Sequence, residues 1–151
     1  SRGLGDVYKR QKYDEIVFCG YGEPTERFDD LIEIARWIKS KKPDSVIRIN
    51  TNGQANLING RDVTPELDGA IDIIGISLNA SNAKEYQDIC KSRYGEESFE
   101  ALQDFAKRAK DYVKLVVFSV VDKTIPESDI EICRKIAEDC GVKFRLREYI
   151  E

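Results

Sequence analysis

The 151-residue chain contains no histidine and no methionine. Without histidine it lacks the commonest general base and the commonest metal ligand, so any chemistry falls to carboxylates or to a cofactor that brings its own reactivity. No apolar run approaches the roughly 20 residues that a membrane helix requires. The opening residues, Ser1-Arg2-Gly3-Leu4-Gly5-Asp6, hold no apolar core of a secretory signal. Basic charge is scarce as well: 24 Lys and Arg stand against 28 Asp and Glu, a formal net charge of -4 with a pI near 5.1. Nucleic-acid binding needs a clustered basic surface, so a large footprint of that kind is not expected. These absences predict a soluble cytoplasmic protein with neither membrane nor nucleic acid as partner.

Cysteine is sparse and badly spaced for a metal. Cys19, Cys90, Cys133 and Cys140 show no close ligand pairing, and the last two lie seven apart in a helical pattern. They are read as buried structural thiols of a reducing compartment, in preference to a disulfide or metal set. What the chain does have is a core: 41% hydrophobic and 34% charged residues suit one domain and no second.

Residues 1–11 resemble an in-frame translation of a transposase sequencing adapter, residues 6–11 reading back to GAT GTG TAT AAG AGA CAG. They are treated as a non-native tail and kept out of the fold reasoning. Without Arg2, Lys9, Arg10 and Asp6 the remainder holds 21 basic and 27 acidic residues, so the acidic balance stands. The natural sequence is then expected to enter mid-gene near Lys12, with residues 12–151 forming one incomplete domain.

Beyond that point apolar runs alternate with helical patterns. Strands are predicted at 13–19, 46–51, 71–78, 113–121 and 143–150. Helices are predicted at 29–41, with Leu31, Ile34, Ala35 and Ile38 at helical spacing, and at 83–90, 97–112 and 127–140. Residues 54–63 read as a polar connection, and Thr64-Pro65-Glu66 opens a short helix. Strictly alternating strands and helices imply a parallel sheet with right-handed crossovers.

The first strand runs into Phe18-Cys19-Gly20-Tyr21-Gly22-Glu23-Pro24-Thr25, the stretch that carries the most chemistry. Two glycines let main-chain groups approach a ligand, Pro24 fixes the exit, and Glu23 offers a carboxylate to an amine. Loops at the C-terminal ends of parallel strands are where such folds place their sites. The same residues also make an ordinary glycine-rich turn with an exposed Glu. A dinucleotide cradle fits poorly: Gly20 and Gly22 take the first two places of G-x-G-x-x-G, but the third falls on Thr25, and Pro24 removes a donor.

Strand parity points the same way. Arg48, Asn50 and Asn52 share a face opposite Ile47 and Ile49. Gly75, Ser77 and Asn79 stand opposite Ile74, Ile76 and Leu78, and Arg145, Arg147 and Tyr149 stand opposite Phe144 and Leu146. One face is apolar and turned to helices. The other is polar, densest toward the C-terminal ends, with Gly75 leaving room in its middle. A curved, barrel-like sheet around a polar ligand cavity accounts for this, and an open sheet with one solvated face is the alternative.

Gly20-Tyr21-Gly22-Glu23-Pro24, then Asn50-Thr51-Asn52-Gly53, then Ile76-Ser77-Leu78-Asn79-Ala80, and the ending Phe144-Arg145-Leu146-Arg147-Glu148-Tyr149-Ile150, together resemble the radical S-adenosylmethionine (radical SAM) enzymes, and among them the TatD-associated radical SAM proteins. The resemblance spans residues 13–150 and rests on the order and spacing of the motifs. It implies a partial (β/α)6 TIM-like barrel lacking its first βα unit, five parallel strands with helices outside. It implies S-adenosylmethionine and a 4Fe-4S cluster as cofactors, an unknown substrate, and an electron donor such as flavodoxin or ferredoxin.

By the same resemblance, Gly20, Gly22 and Glu23, with Pro24 completing the loop, would meet the methionyl amino group. Ser77 and Asn79 would meet the ribose or the methionyl carboxylate. Residues 117–121, with Ser119 among them, would flank the adenine, and Thr51, Asn52 and Arg147 would line the cavity. The family's C-x-x-x-C-x-x-C triplet does not occur in this sequence, so no residue is assigned to metal and the chain alone is expected to be inert. Either the first βα unit with its cysteines is cut away, or this is a degenerate member that never held a cluster. A non-redox α/β module for a nucleotide or phosphosugar is the reading from outside the family.

Overall fold

A computed structural model describes residues 15–19 and 22–150. The tail at 1–11, Gly20, and the start of the first predicted strand lie outside the described residues. Five strands alternate with helices: β1 (Glu15–Phe18), β2 (Val46–Thr51), β3 (Ile73–Ser77), β4 (Leu115–Val121) and β5 (Lys143–Arg147). The helices are α1 (Phe28–Lys41), α2 (Ala55–Asn59), α3 (Ala83–Cys90), α4 (Glu97–Ala109) and α5 (Glu127–Cys140).

All strands are parallel and their order in space is their order in sequence. Each right-handed crossover therefore advances one place in the same direction, which sends every helix to one face and leaves the other uncovered. This is the expected architecture, an α/β fold with five parallel strands consistent with part of a TIM-like barrel. The covered face holds the core: Ile47, Ile49, Ile74, Ile76, Val116 and Phe118 are buried against helix residues such as Phe28, Tyr86, Leu102 and Phe105.

The N-terminal ends of the strands are tied by one buried acid. The Asp72 carboxylate accepts from the Ile47 amide at 2.8 Å and from Lys39 Nζ at 2.6 Å, with Lys114 Nζ at 3.7 Å. Its main-chain carbonyl accepts from the amides of Lys114 and Leu115. One residue thus joins α1, β2, β3 and β4 at the end away from the polar loops.

Several sequence expectations shift. The polar connection at 54–63 contains α2, a helix too short to show apolar periodicity, ended by Gly60 at φ +66°. The helix expected at Thr64 is a 3-10 turn, Thr64–Leu67. β5 stops at Arg147, opposite Val121, because β4 offers no paired backbone beyond. Ile34, placed on the core stripe of α1, is 47% exposed, and Ile32 is buried instead. Cys133 and Cys140 are buried as expected, whereas Cys90 is half-buried and Cys19 is exposed in the loop after β1. All four are free thiols.

Candidate functional site

Register sorts the uncovered face into tiers. Asn50, Gly75, Val117 and Lys143 form one, Ser77, Ser119 and Arg145 the next toward the C-terminal ends, and Val121 and Arg147 the one above. Between these strands lies a cavity of about 290 Å³ reached by Arg48, Asn50, Ser77, Ser119, Arg145 and Arg147, with Glu15 on its β1 side. The room left by Gly75 is used by the chain itself. A Cβ there would meet Asn50 Oδ1 at 2.8 Å and an Arg48 guanidinium nitrogen at 2.9 Å. Arg48 Nε in turn donates to Asn50 Oδ1 at 3.0 Å, so the pair lies flat across the glycine.

A second cavity, about 310 Å³, adjoins the first at Ser77 and opens between the loops after β2 and β3, with Asn52, Gln54, Asn79, Tyr86 and Cys90 among its walls. Its floor is a closed polar chain: Ser92 Oγ donates to Gln54 Oε1 at 2.8 Å, and Gln54 Nε2 donates to the Tyr86 hydroxyl at 3.0 Å. Burial, helped by the nearby Cys90 thiol, pushes the Tyr86 hydroxyl well above the usual phenol range, so it stays protonated. Asn79 sits at φ +66° and donates from Nδ2 to Cys90 Sγ at 3.3 Å. Nothing in the sequence pattern marked Gln54, Tyr86 or Ser92, because their partners are 32 and 38 residues apart.

Glu23 does not point an idle carboxylate at a ligand. Oε2 accepts from the Thr25 amide at 3.0 Å, the Thr25 hydroxyl at 2.6 Å and the Thr51 hydroxyl at 2.5 Å, and Oε1 accepts from the Asn52 amide at 2.7 Å. The loop after β1 is thereby pinned to the loop after β2. Thr51, expected to line the cavity, is instead buried on the parity of Ile47 and Ile49, its hydroxyl also accepting from the Gly53 amide at 3.1 Å. Gly22, at φ +79°, and Pro24 border a third hollow of about 370 Å³ between the end of β1 and α1. The structure therefore brings together Asn52, Ser77 and Asn79 at one cavity and Ser77, Ser119 and Arg147 at the other. It joins Glu23 to Thr51 beside them, and sets Gly22 and Pro24 apart.

The described residues do not fit an iron-sulfur cluster. Such a cluster needs convergent thiolates. Cys19 lies after β1, Cys90 ends α3, and Cys133 and Cys140 are inside α5. Cys133 Sγ donates to the Ala80 carbonyl, and burial, with Asp129 and Glu85 nearby, pushes that thiol up to about 11, the opposite of a ligand thiolate. Among the described residues no three Cys, Asp or Glu side chains converge to hold a metal ion. Nor is any described helix long and apolar enough to cross a membrane.

Comparison with known proteins gives this geometry a family. The sequence profile of the Radical SAM superfamily matches residues 4–136. That match begins inside the tail read above as adapter-derived and gives that reading no support. A protein of Methanocaldococcus jannaschii, provisionally named a glycyl-radical enzyme activating enzyme, is 32% identical over 133 residues. The alignment takes in 85% of this chain and 52% of the relative, so the chain spans about half the length of that protein. A profile covering most of the sequence, on a singly wound parallel sheet with polar groups gathered at the C-terminal ends of its uncovered face, makes this chain a member of the radical SAM superfamily.

Proposed function

We propose that the chain is part of a radical SAM enzyme of the TatD-associated group, a cytoplasmic protein in which S-adenosylmethionine binds across the two adjoining cavities. The observation that carries this reading is the profile match over residues 4–136 together with the order of the three loop motifs after β1, β2 and β3. Held at a cluster in the whole enzyme, this cofactor would supply 5′-deoxyadenosyl radical chemistry. The cluster cysteines belong to a βα unit outside this chain, in keeping with a relative about twice as long. Residues 1–11 are taken as non-native, and the chain is inert alone.

In this reading Ser77 and Asn79 hold the ribose or the methionyl carboxylate, Asn52 lines the shared wall, and Ser119 flanks the adenine. Glu23 is a positioning residue: its four hydrogen bonds hold the Gly22 loop against Asn52. The electron donor is a flavodoxin or ferredoxin.

The test is to recover the gene upstream of Lys12 and express the whole chain anaerobically with iron and sulfide. A C-x-x-x-C-x-x-C before β1, a brown protein and 5′-deoxyadenosine on reduction are expected. An intact upstream region with no such cysteines and no cluster would leave a non-redox nucleotide or phosphosugar module. In the whole enzyme, Glu23→Ala weakens S-adenosylmethionine binding, and unchanged binding removes Glu23 from the site.

A further inference from the structure

On the uncovered face the acidic balance of the chain is reversed. The 290 Å³ cavity receives three arginines, Arg48, Arg145 and Arg147, against one carboxylate, Glu15, in a protein with more acidic than basic residues. The Arg145 and Arg147 guanidinium groups make no ion pair or hydrogen bond among the described residues, and that of Arg48 bonds only the neutral Asn50 amide. Guanidinium groups cannot shed their charge at ordinary pH, so three of them around one hollow repel one another unless an anion joins them. A concave, weakly polarisable wall concentrates that positive potential. The tiers add direction: Arg48 lies over Gly75, with Arg145 one tier higher and Arg147 two. Ser77 and Ser119, in the Arg145 tier, add two hydroxyl donors.

We propose that this arginine triad is an anion-binding site, and that the substrate is a small molecule whose carboxylate or phosphate is held by Arg48, Arg145 and Arg147. The forked donors of arginine suit either group. The inference deepens the radical SAM reading, because it places the substrate's anion at the arginine wall of one of the two cavities proposed for the cofactor, where Ser77 and Ser119 are within reach of both ligands. The same chemistry could serve the cofactor's own carboxylate, and the test separates the two sources.

Isothermal titration of the 151-residue chain with pyrophosphate, with S-adenosylmethionine, and with pyrophosphate in saturating S-adenosylmethionine covers both. Arg145→Gln and Arg147→Gln, at exposed positions of the edge strand, should each weaken pyrophosphate binding about tenfold, one charge-assisted contact's worth. Lys84→Gln, on the outer helix α3, should change nothing. Lysine in place of Arg145 keeps the charge and loses the fork, so Arg145→Lys should recover part of the affinity. Retained pyrophosphate binding in saturating S-adenosylmethionine supports a substrate site. Displacement by S-adenosylmethionine overturns it in favour of the cofactor's carboxylate. Absent saturable pyrophosphate binding, or equal binding in both glutamine variants, overturns the site itself. Arginine-dependent pyrophosphate binding with no S-adenosylmethionine binding supports the site, and the cofactor reading is then judged on the cluster-loaded whole enzyme.

Discussion

Phe118 and Ser119 are neighbours in sequence and belong to different worlds: Phe118 is wholly buried under the helices, and Ser119 faces the arginine-lined cavity. The same contrast runs along every central strand, Ile49 against Asn50 and Ile76 against Ser77. Stability is carried on one parity and ligand chemistry on the other. A strand in this fold can therefore change what it binds at half its positions without touching what holds it.

The sharpest way to break that contrast is a pair of adjacent truncations. Phe118→Ala should cost about 4 kcal/mol through lost burial and the cavity left behind. Ser119→Ala should stay within about 0.5 kcal/mol. Equal midpoints in urea denaturation would erase the distinction between the faces.

Asp72→Ala comes next, at about 3 kcal/mol, because it strands the Ile47 amide and the Lys39 ammonium in a mostly buried place. Pyrophosphate titration of the same variant should be unchanged, which separates the N-terminal ends of the strands from the site at the other end.

Gly75→Ala tests the uncovered face from within. Its methyl displaces the Arg48 and Asn50 side chains, which are flexible and partly exposed, so the cost should be only about 1 kcal/mol. A loss as large as that of Phe118→Ala would show a face packed as tightly as the covered one.

The smallest effect concerns pH. Burial, the largest single influence, raises the Asp62 pKa, but hydrogen bonds from Thr64 and Asn56 and the nearby Arg108 together outweigh it, leaving the folded value below the usual 3.8. A depressed carboxyl stabilises above its unfolded value and loses that contribution as pH falls through the folded one. The melting temperature of Asp62→Asn should trail the parent at pH 7, and the gap should close toward pH 3. A gap that widens in acid would reverse the sign.

Much of this was legible in the sequence. Apolar runs with β-branched residues mark each strand, and their parity separates Ile47 and Ile49 from Arg48 and Asn50. The motif order led to the family. Contacts between distant residues were not legible: Glu23 reads as a free carboxylate because its partners Thr51 and Asn52 are 28 and 29 residues away. Gly75 reads as room for a ligand, but Arg48 and Asn50 of the chain itself lie over it. The helix α2 escaped because five residues are less than two turns and carry no period.

The spatial order of the strands has a kinetic side. Each described strand after β1 pairs with the one made just before it, so a strand leaving the ribosome meets a partner already in place. Of the five described strands, β5 is made after the other four and brings two of the three cavity arginines. A chain halted before Lys143 would have most of its core and one of the cavity's three guanidinium groups, so the fold is in place before the charge that gives it something to hold.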